Sequence, residues 1–158
     1  MRVLKIVASS FHPRGIREKT TLTGNPLGFF AHSQNFVSEK EIIDLLNFNI
    51  RYENNYSTKH EVDFLIVSSN EPSSNFDLGN QYLETIHNQK LTNGKVMTLS
   101  RNNVGRQFGG FNDAFKKFKD QYDYYIFQED DMVCHIPCYL ETALDIWNKT
   151  ENCGFVPF

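Results

Sequence analysis

Short unbroken apolar runs alternate along this chain with longer stretches whose apolar residues recur every three or four positions. Residues 3–8 (Val-Leu-Lys-Ile-Val-Ala) form the first run, which breaks at Ser9 and Ser10. A run of that length with polar punctuation predicts a buried strand. Residues 62–68 predict a second strand, residues 95–100 a weaker third after the Asn93-Gly94 turn, and residues 124–128 a fourth. Between them lie helical signals. Ser38 and Glu41 have capping-box spacing, and Ile42, Leu45, Leu46 and Asn49 or Ile50 then share one face of a helix expected to fade near Tyr52. A short helix is expected over 80–88. Phe111, Ala114, Phe115 and Phe118 make one stripe at i, i+3, i+4 and i+7, and Leu140, Ala143, Leu144 and Trp147 make another. Residues 11–34, with Pro13, Gly15, Gly24, Pro26 and Gly28, predict a long loop, and residues 69–75, with Pro72, a shorter one. Residues 154–158 look like the start of a further strand.

Strands alternating with helices predict an α/β fold with a mainly parallel sheet. Right-handed crossovers then place helices on both faces. The Phe stripe and Trp147 are expected in the core. A length of 158 residues suits one domain over 1–158. Aromatic residues, 14% of the chain, supply core volume that Leu and Val would otherwise give.

Charge and cysteine usage narrow the function classes. A net charge of −3 with dispersed basic residues argues against a nucleic-acid partner. Lys116, Lys117 and Lys119 read as the wet face of a helix. Three cysteines, Cys134, Cys138 and Cys153, cannot all pair within one chain, which suits a reducing compartment. No secretory h-region and no apolar run near the ~20 residues of a membrane span is visible. The expectation is a cytoplasmic protein without a transmembrane segment.

Candidate chemistry begins where the fourth strand stops at Glu129, Asp130 and Asp131. Open α/β sheets bind ligands outside the carboxyl ends of their strands. Three adjacent carboxylates repel one another, and a hard divalent cation such as Mg²⁺ or Mn²⁺, held by carboxylates plus substrate phosphates, relieves that repulsion. Taken alone, the cluster reads more readily as a solvated acidic turn than as a site. A second segment, Asn103-Val104-Gly105-Arg106-Gln107-Phe108-Gly109-Gly110-Phe111, opens the Phe-striped helix. Its glycines permit close backbone approach, a helix N-terminus suits an anion, and the Arg106 guanidinium grips phosphate.

Together these segments resemble the GT-A glycosyltransferases of the family-2 and rhamnan-synthesis type. Those enzymes carry an Asn-x-Gly-Arg-Asp-x-Gly-x-Phe-like stretch, a helix, and a hydrophobic strand ending in an Asp-x-Asp motif. This chain shows Asn103-x-Gly105-Arg106-Gln107-x-Gly109-x-Phe111, then residues 124–128, then Glu129-Asp130-Asp131. It departs at Gln107, where an Asp is common, at Glu129, which replaces the first Asp, and at Ser68-Ser69-Asn70-Glu71, where Asp-Gly-Ser is usual. The resemblance spans nearly the whole chain, with motif-grade similarity only over 101–131.

The resemblance implies a Rossmann-like GT-A sheet that binds a nucleotide-diphosphate sugar and passes the sugar to a glycan or other hydroxyl acceptor. It places Ser9, Ser10, Ser69, Asn70, Asn103, Gly105, Arg106 and Asp130 around the donor, and Asp131 and Glu129 on a Mn²⁺ or Mg²⁺ ion. The catalytic base belongs to an acceptor-binding part that this chain is expected to lack, so no base is assigned. A non-catalytic nucleotide-sugar-binding domain of a larger protein and a nucleotidyltransferase-like metal enzyme are the alternatives. Cys134-His135-x-x-Cys138 falls short of a four-ligand zinc site, and the cysteines are expected to be buried thiols. His135 and His12 read as surface and loop residues.

Overall fold

Seven successive buried residues make β1 (Arg2–Ser9), and eight make β2 (Glu61–Asn70). Strands buried on both faces read as continuous apolar runs rather than alternating ones, which is why the sequence shows them so clearly. The computed structural model describes residues 1–11, 38–70, 76–132 and 138–151. The other described elements are α1 (Glu39–Asn55), α2 (Asp77–Ile86), β3 (Lys90–Leu91), β4 (Gly94–Asn102), α3 (Arg106–Phe118), β5 (Tyr124–Glu129) and α4 (Tyr139–Lys149). The long loop after Phe11, the strand expected at 154–158, His12, Cys134, His135 and Cys153 lie outside the described residues. Among those residues no helix is long and apolar enough to cross a membrane.

The fold is α/β, with one five-stranded sheet in the order β3-β4-β2-β1-β5. β4, β2, β1 and β5 run parallel, and β3 pairs antiparallel with β4. Val3 of β1 lies opposite Val62 on one side and Tyr124 on the other. The chain steps outward from β1 to β2 to β4, then returns to place β5 on the free side of β1. That return reverses the direction of travel, and right-handed crossovers then put the next helix on the opposite face. The packing agrees. Val7, Phe64, Ile66 and Val96 meet Ile42, Leu46 and Ile50 of α1 and Leu83 and Ile86 of α2. Val3 and Val62 meet Tyr139, Leu140 and Leu144 of α4 on that same face. Leu4, Ile6, Leu65 and Val67 face the other way, toward Ala114, Phe111 and Phe118 of α3.

Several boundaries differ from expectation for physical reasons. The capping box forms as the spacing predicts, with Ser38 capping α1, but the helix continues past Tyr52 to Asn55. Glu53 is the cause: it is buried and meets Lys5 Nζ at 2.8 Å. β2 runs through Ser69 and Asn70, which were expected in a loop, because both pair with Arg101 and Asn102 of β4. α2 starts at Asp77 rather than residue 80 and stops at Ile86. β3 is too short to register as a run. Phe115, expected in the core, is 42% exposed, because α3 packs it on Tyr125 of the sheet's edge strand. Trp147 is half-buried, edge-on to Tyr124, and Cys138 is an exposed free thiol rather than a buried one. No buried side-chain nitrogen or oxygen lacks a partner among the described residues.

Candidate functional site

The strand order turns back on itself between β1 and β5. Such a reversal opens a crevice at the carboxyl ends of the strands, where doubly wound sheets bind their ligands. Ser9 ends β1, Asn70 ends β2, Asn102 ends β4 and Glu129 ends β5, so the residues predicted around the donor all emerge at this end of the sheet.

The acidic cluster divides by the pleat. Asp130 turns inward and is wholly buried. Its Oδ2 accepts from Ser9 Oγ at 2.6 Å, its N–H donates to the Ala8 carbonyl at 3.2 Å, and its own carbonyl accepts from Asn49 Nδ2 at 2.9 Å. Glu129 is partly exposed and Asp131 exposed. The turn is closed by the Met132 N–H on the Glu129 carbonyl at 3.1 Å. Glu129 and Asp131 thus stand two residues apart with an inward-facing anchor between them. Among the described residues, no three His, Cys, Asp or Glu side chains converge on one point. Two carboxylates are a donor set that Mg²⁺ or Mn²⁺ accepts only when waters and phosphate oxygens complete the shell.

The glycine-rich segment is built by β4, β2 and α3 together. Gly105 has φ 78° and ends the loop, and Arg106 follows at φ 51°, a left-handed conformation that costs a non-glycine residue roughly 1–2 kcal/mol. A Cβ on Gly109 would lie 1.9 Å from the Val104 carbonyl oxygen, so only glycine fits there. No side chain caps α3, and Arg106 is exposed at its first turn. This end of the helix offers backbone N–H groups and the positive end of the helix dipole. Val104 and Phe108 are also exposed here.

Ser69 and Asn70 sit at the same rim but are engaged by the protein. Asn70 Oδ1 accepts from the Phe11 N–H at 3.2 Å, and its Nδ2 donates to Ser68 Oγ at 3.1 Å. The Asn103 N–H donates to the Asn70 carbonyl at 3.0 Å. Ser69 Oγ accepts from Arg101, a residue that sequence reasoning missed. Arg101 donates through Nη1 to Ser69 at 3.0 Å, through Nη2 to the Val104 carbonyl at 2.7 Å, and through Nε to Asp113 at 2.6 Å. One guanidinium thereby fastens the end of β2, the glycine loop and α3. The only local signal was an Arg just after the apolar residues of β4. Asn49 is the second missed residue, a polar position on the apolar stripe of α1. Ser10 is partly exposed where β1 ends.

No protein-family model matches the chain, and no curated protein or solved structure matches it.

Proposed function

We propose that this chain is the donor-binding part of a divalent-metal-dependent glycosyltransferase that uses a nucleotide-diphosphate sugar, with a Rossmann-like GT-A sheet. The observation that carries this reading is one juxtaposition. The Glu129–Asp131 turn and the glycine-opened start of α3 both lie at the carboxyl end of a sheet whose strand order reverses between β1 and β5. In this reading Glu129 and Asp131 hold Mn²⁺ or Mg²⁺. A cation bound there stabilises the negative charge that grows on the departing diphosphate. Arg106 and the first N–H groups of α3 bind phosphate oxygens. Ser10 and the rim formed by Ser69, Asn70 and Asn103 border the nucleoside, while Ser9 and Asp130 hold the acidic turn against β1. A glycan or other hydroxyl compound accepts the sugar.

Calorimetric titration with UDP- and GDP-sugars, with and without Mn²⁺, tests the reading. Binding is expected only with the metal. Replacing Asp131 with Ala is expected to abolish that binding and leave the melting temperature unchanged, because Asp131 is exposed. Failure of every nucleotide sugar to bind in the presence of Mn²⁺ would sink the reading.

A further inference from the structure

The acidic turn does not rest on β5 alone. Asn49 lies on α1, a helix that reaches the sheet from the face opposite α3, and its side chain is 2% exposed. Its amide makes three bonds. Nδ2 donates to the Asp130 carbonyl at 2.9 Å and to the Leu45 carbonyl of its own helix at 3.1 Å, and Oδ1 accepts from Gln128 Nε2 at 2.8 Å. Gln128 Nε2 in turn donates to the Met132 carbonyl at 2.6 Å. A single buried amide therefore grips the residue before Glu129 by its side chain and the residue before Asp131 by its backbone. Ser9 completes the arrangement by holding the Asp130 carboxylate from β1.

A buried primary amide with all its bonds made is directional. It fixes the peptide it grips in one orientation, and losing it leaves polar groups buried without partners. That peptide joins Asp130 to Asp131, and Gln128, held by the same amide, precedes Glu129, so both carboxylates inherit the orientation. Groups that orient metal ligands affect metal affinity roughly 10–100-fold.

We propose that Asn49 is a positioning residue: it holds the 129–131 turn in the geometry that lets Glu129 and Asp131 share one divalent cation, and so couples α1 to the donor site. This role rests on the metal-dependent reading given above. Asn49→Leu removes all three bonds at near-constant volume. Asn49→Asp keeps the acceptor for Gln128 but removes the donor to the Asp130 carbonyl.

Two measurements on the full chain decide the matter: Mn²⁺ affinity by electron paramagnetic resonance in the presence of UDP or GDP, and amide hydrogen exchange across the turn. Both variants are expected to bind Mn²⁺ about tenfold more weakly than wild type. Exchange at Asp130 and Met132 should be faster in both, with β1 and β2 unchanged. Wild-type Mn²⁺ affinity in both variants overturns the positioning role and leaves the donor-binding reading intact. If wild type itself binds no Mn²⁺ with either nucleotide, the donor-binding reading fails and the role falls with it. Loss of the fold in both variants would make Asn49 a core-building residue and would also overturn the role.

Discussion

The two faces of the sheet solve the problem of covering it in opposite ways. Among the described residues three helices cover one face, and its centre is polar. Lys5 sits mid-strand with only 2% exposure, bound to Glu53 of α1 at 2.8 Å, while Tyr139 of α4 donates to Glu53 and packs its ring 4.9 Å from the ammonium. Of the described helices only α3 covers the other face; it packs on Leu4, Ile6, Leu65 and Val67, and toward the sheet's edge its contacts are aromatic. Phe111 meets Phe127 and Phe115 meets Tyr125, edge to face, along the outermost strand. The Lys5–Glu53 pair is buried; on the aromatic face Phe115 and Phe127 remain 42% and 44% exposed. A buried charge demands complete enclosure by partners, whereas aromatic rings tolerate a wet edge. The candidate site joins these two solutions. Its acidic turn is anchored from the polar side by Asn49 and Ser9, and its glycine loop belongs to the aromatic side.

The largest effect is expected from Glu53→Leu. It strands the Lys5 ammonium in the interior, and removing one partner of a buried pair costs about 3–5 kcal/mol. The double change Lys5→Met with Glu53→Leu should recover most of that loss, because well-packed apolar residues often replace a buried pair without penalty. Urea denaturation of the three proteins checks this. A Glu53→Leu variant as stable as wild type would erase the distinction between the faces.

That pair also marks the limit of what the sequence reveals. Local signals read well. The Ser38–Glu41 capping box acts over three residues and forms as the spacing predicts. The buried strands announce themselves as apolar runs, and their alternation with helices gives the α/β class and the parallel sheet. The acidic turn is legible as a strand end rich in carboxylates. What cannot be read is partnership across distance. Nothing near Lys5 in the chain points to Glu53, 48 residues on. Asn49 shares its turn of helix with Ile50, so periodicity alone leaves open which of them faces the core. Both are buried, and Asn49 reaches a carbonyl 81 residues away. Arg101 finds Ser69, Val104 and Asp113 only after β4 has paired with β2. The exposure of Phe115 depends on β5 being the outermost strand, and strand order is a property of the whole fold.

A smaller effect should come from the aromatic face. A fully buried Phe costs about 3–5 kcal/mol when cut to Ala. Phe115 has part of its ring in water already, so Phe115→Ala is expected to cost about 1 kcal/mol, measured by the same denaturation series. A loss above about 3 kcal/mol would show that Phe115 contributes as much as a fully buried ring.

The smallest effect is the pH dependence of the polar face, which turns on how α4 docks. Glu141 of α4 accepts from Thr58 at 2.6 Å and from the Tyr56 hydroxyl, and the Leu140 N–H donates to Tyr56 at 3.3 Å. Burial pushes the Glu141 carboxyl up, but the hydrogen bonds from Thr58 and Tyr56 outweigh it and leave its pKa below the ordinary value. His60, buried nearby, is also held below its ordinary value, chiefly by burial and then by the positive chain terminus. Both groups are thus depressed in the folded state, so the unfolded chain binds more protons, and stability rises with pH across each window. The His60 contribution is complete above about pH 6.5 and is lost as pH falls through its folded value; the Glu141 contribution begins to fade only below about pH 4.5. Glu141→Gln should therefore flatten the lower part of the acid limb and leave the part near pH 6 in place, while His60→Gln should do the reverse. Thermal melts from pH 7 down to about pH 2 resolve the two steps. An acid limb unchanged by either substitution would move the pH sensitivity of this fold away from the α4 contact.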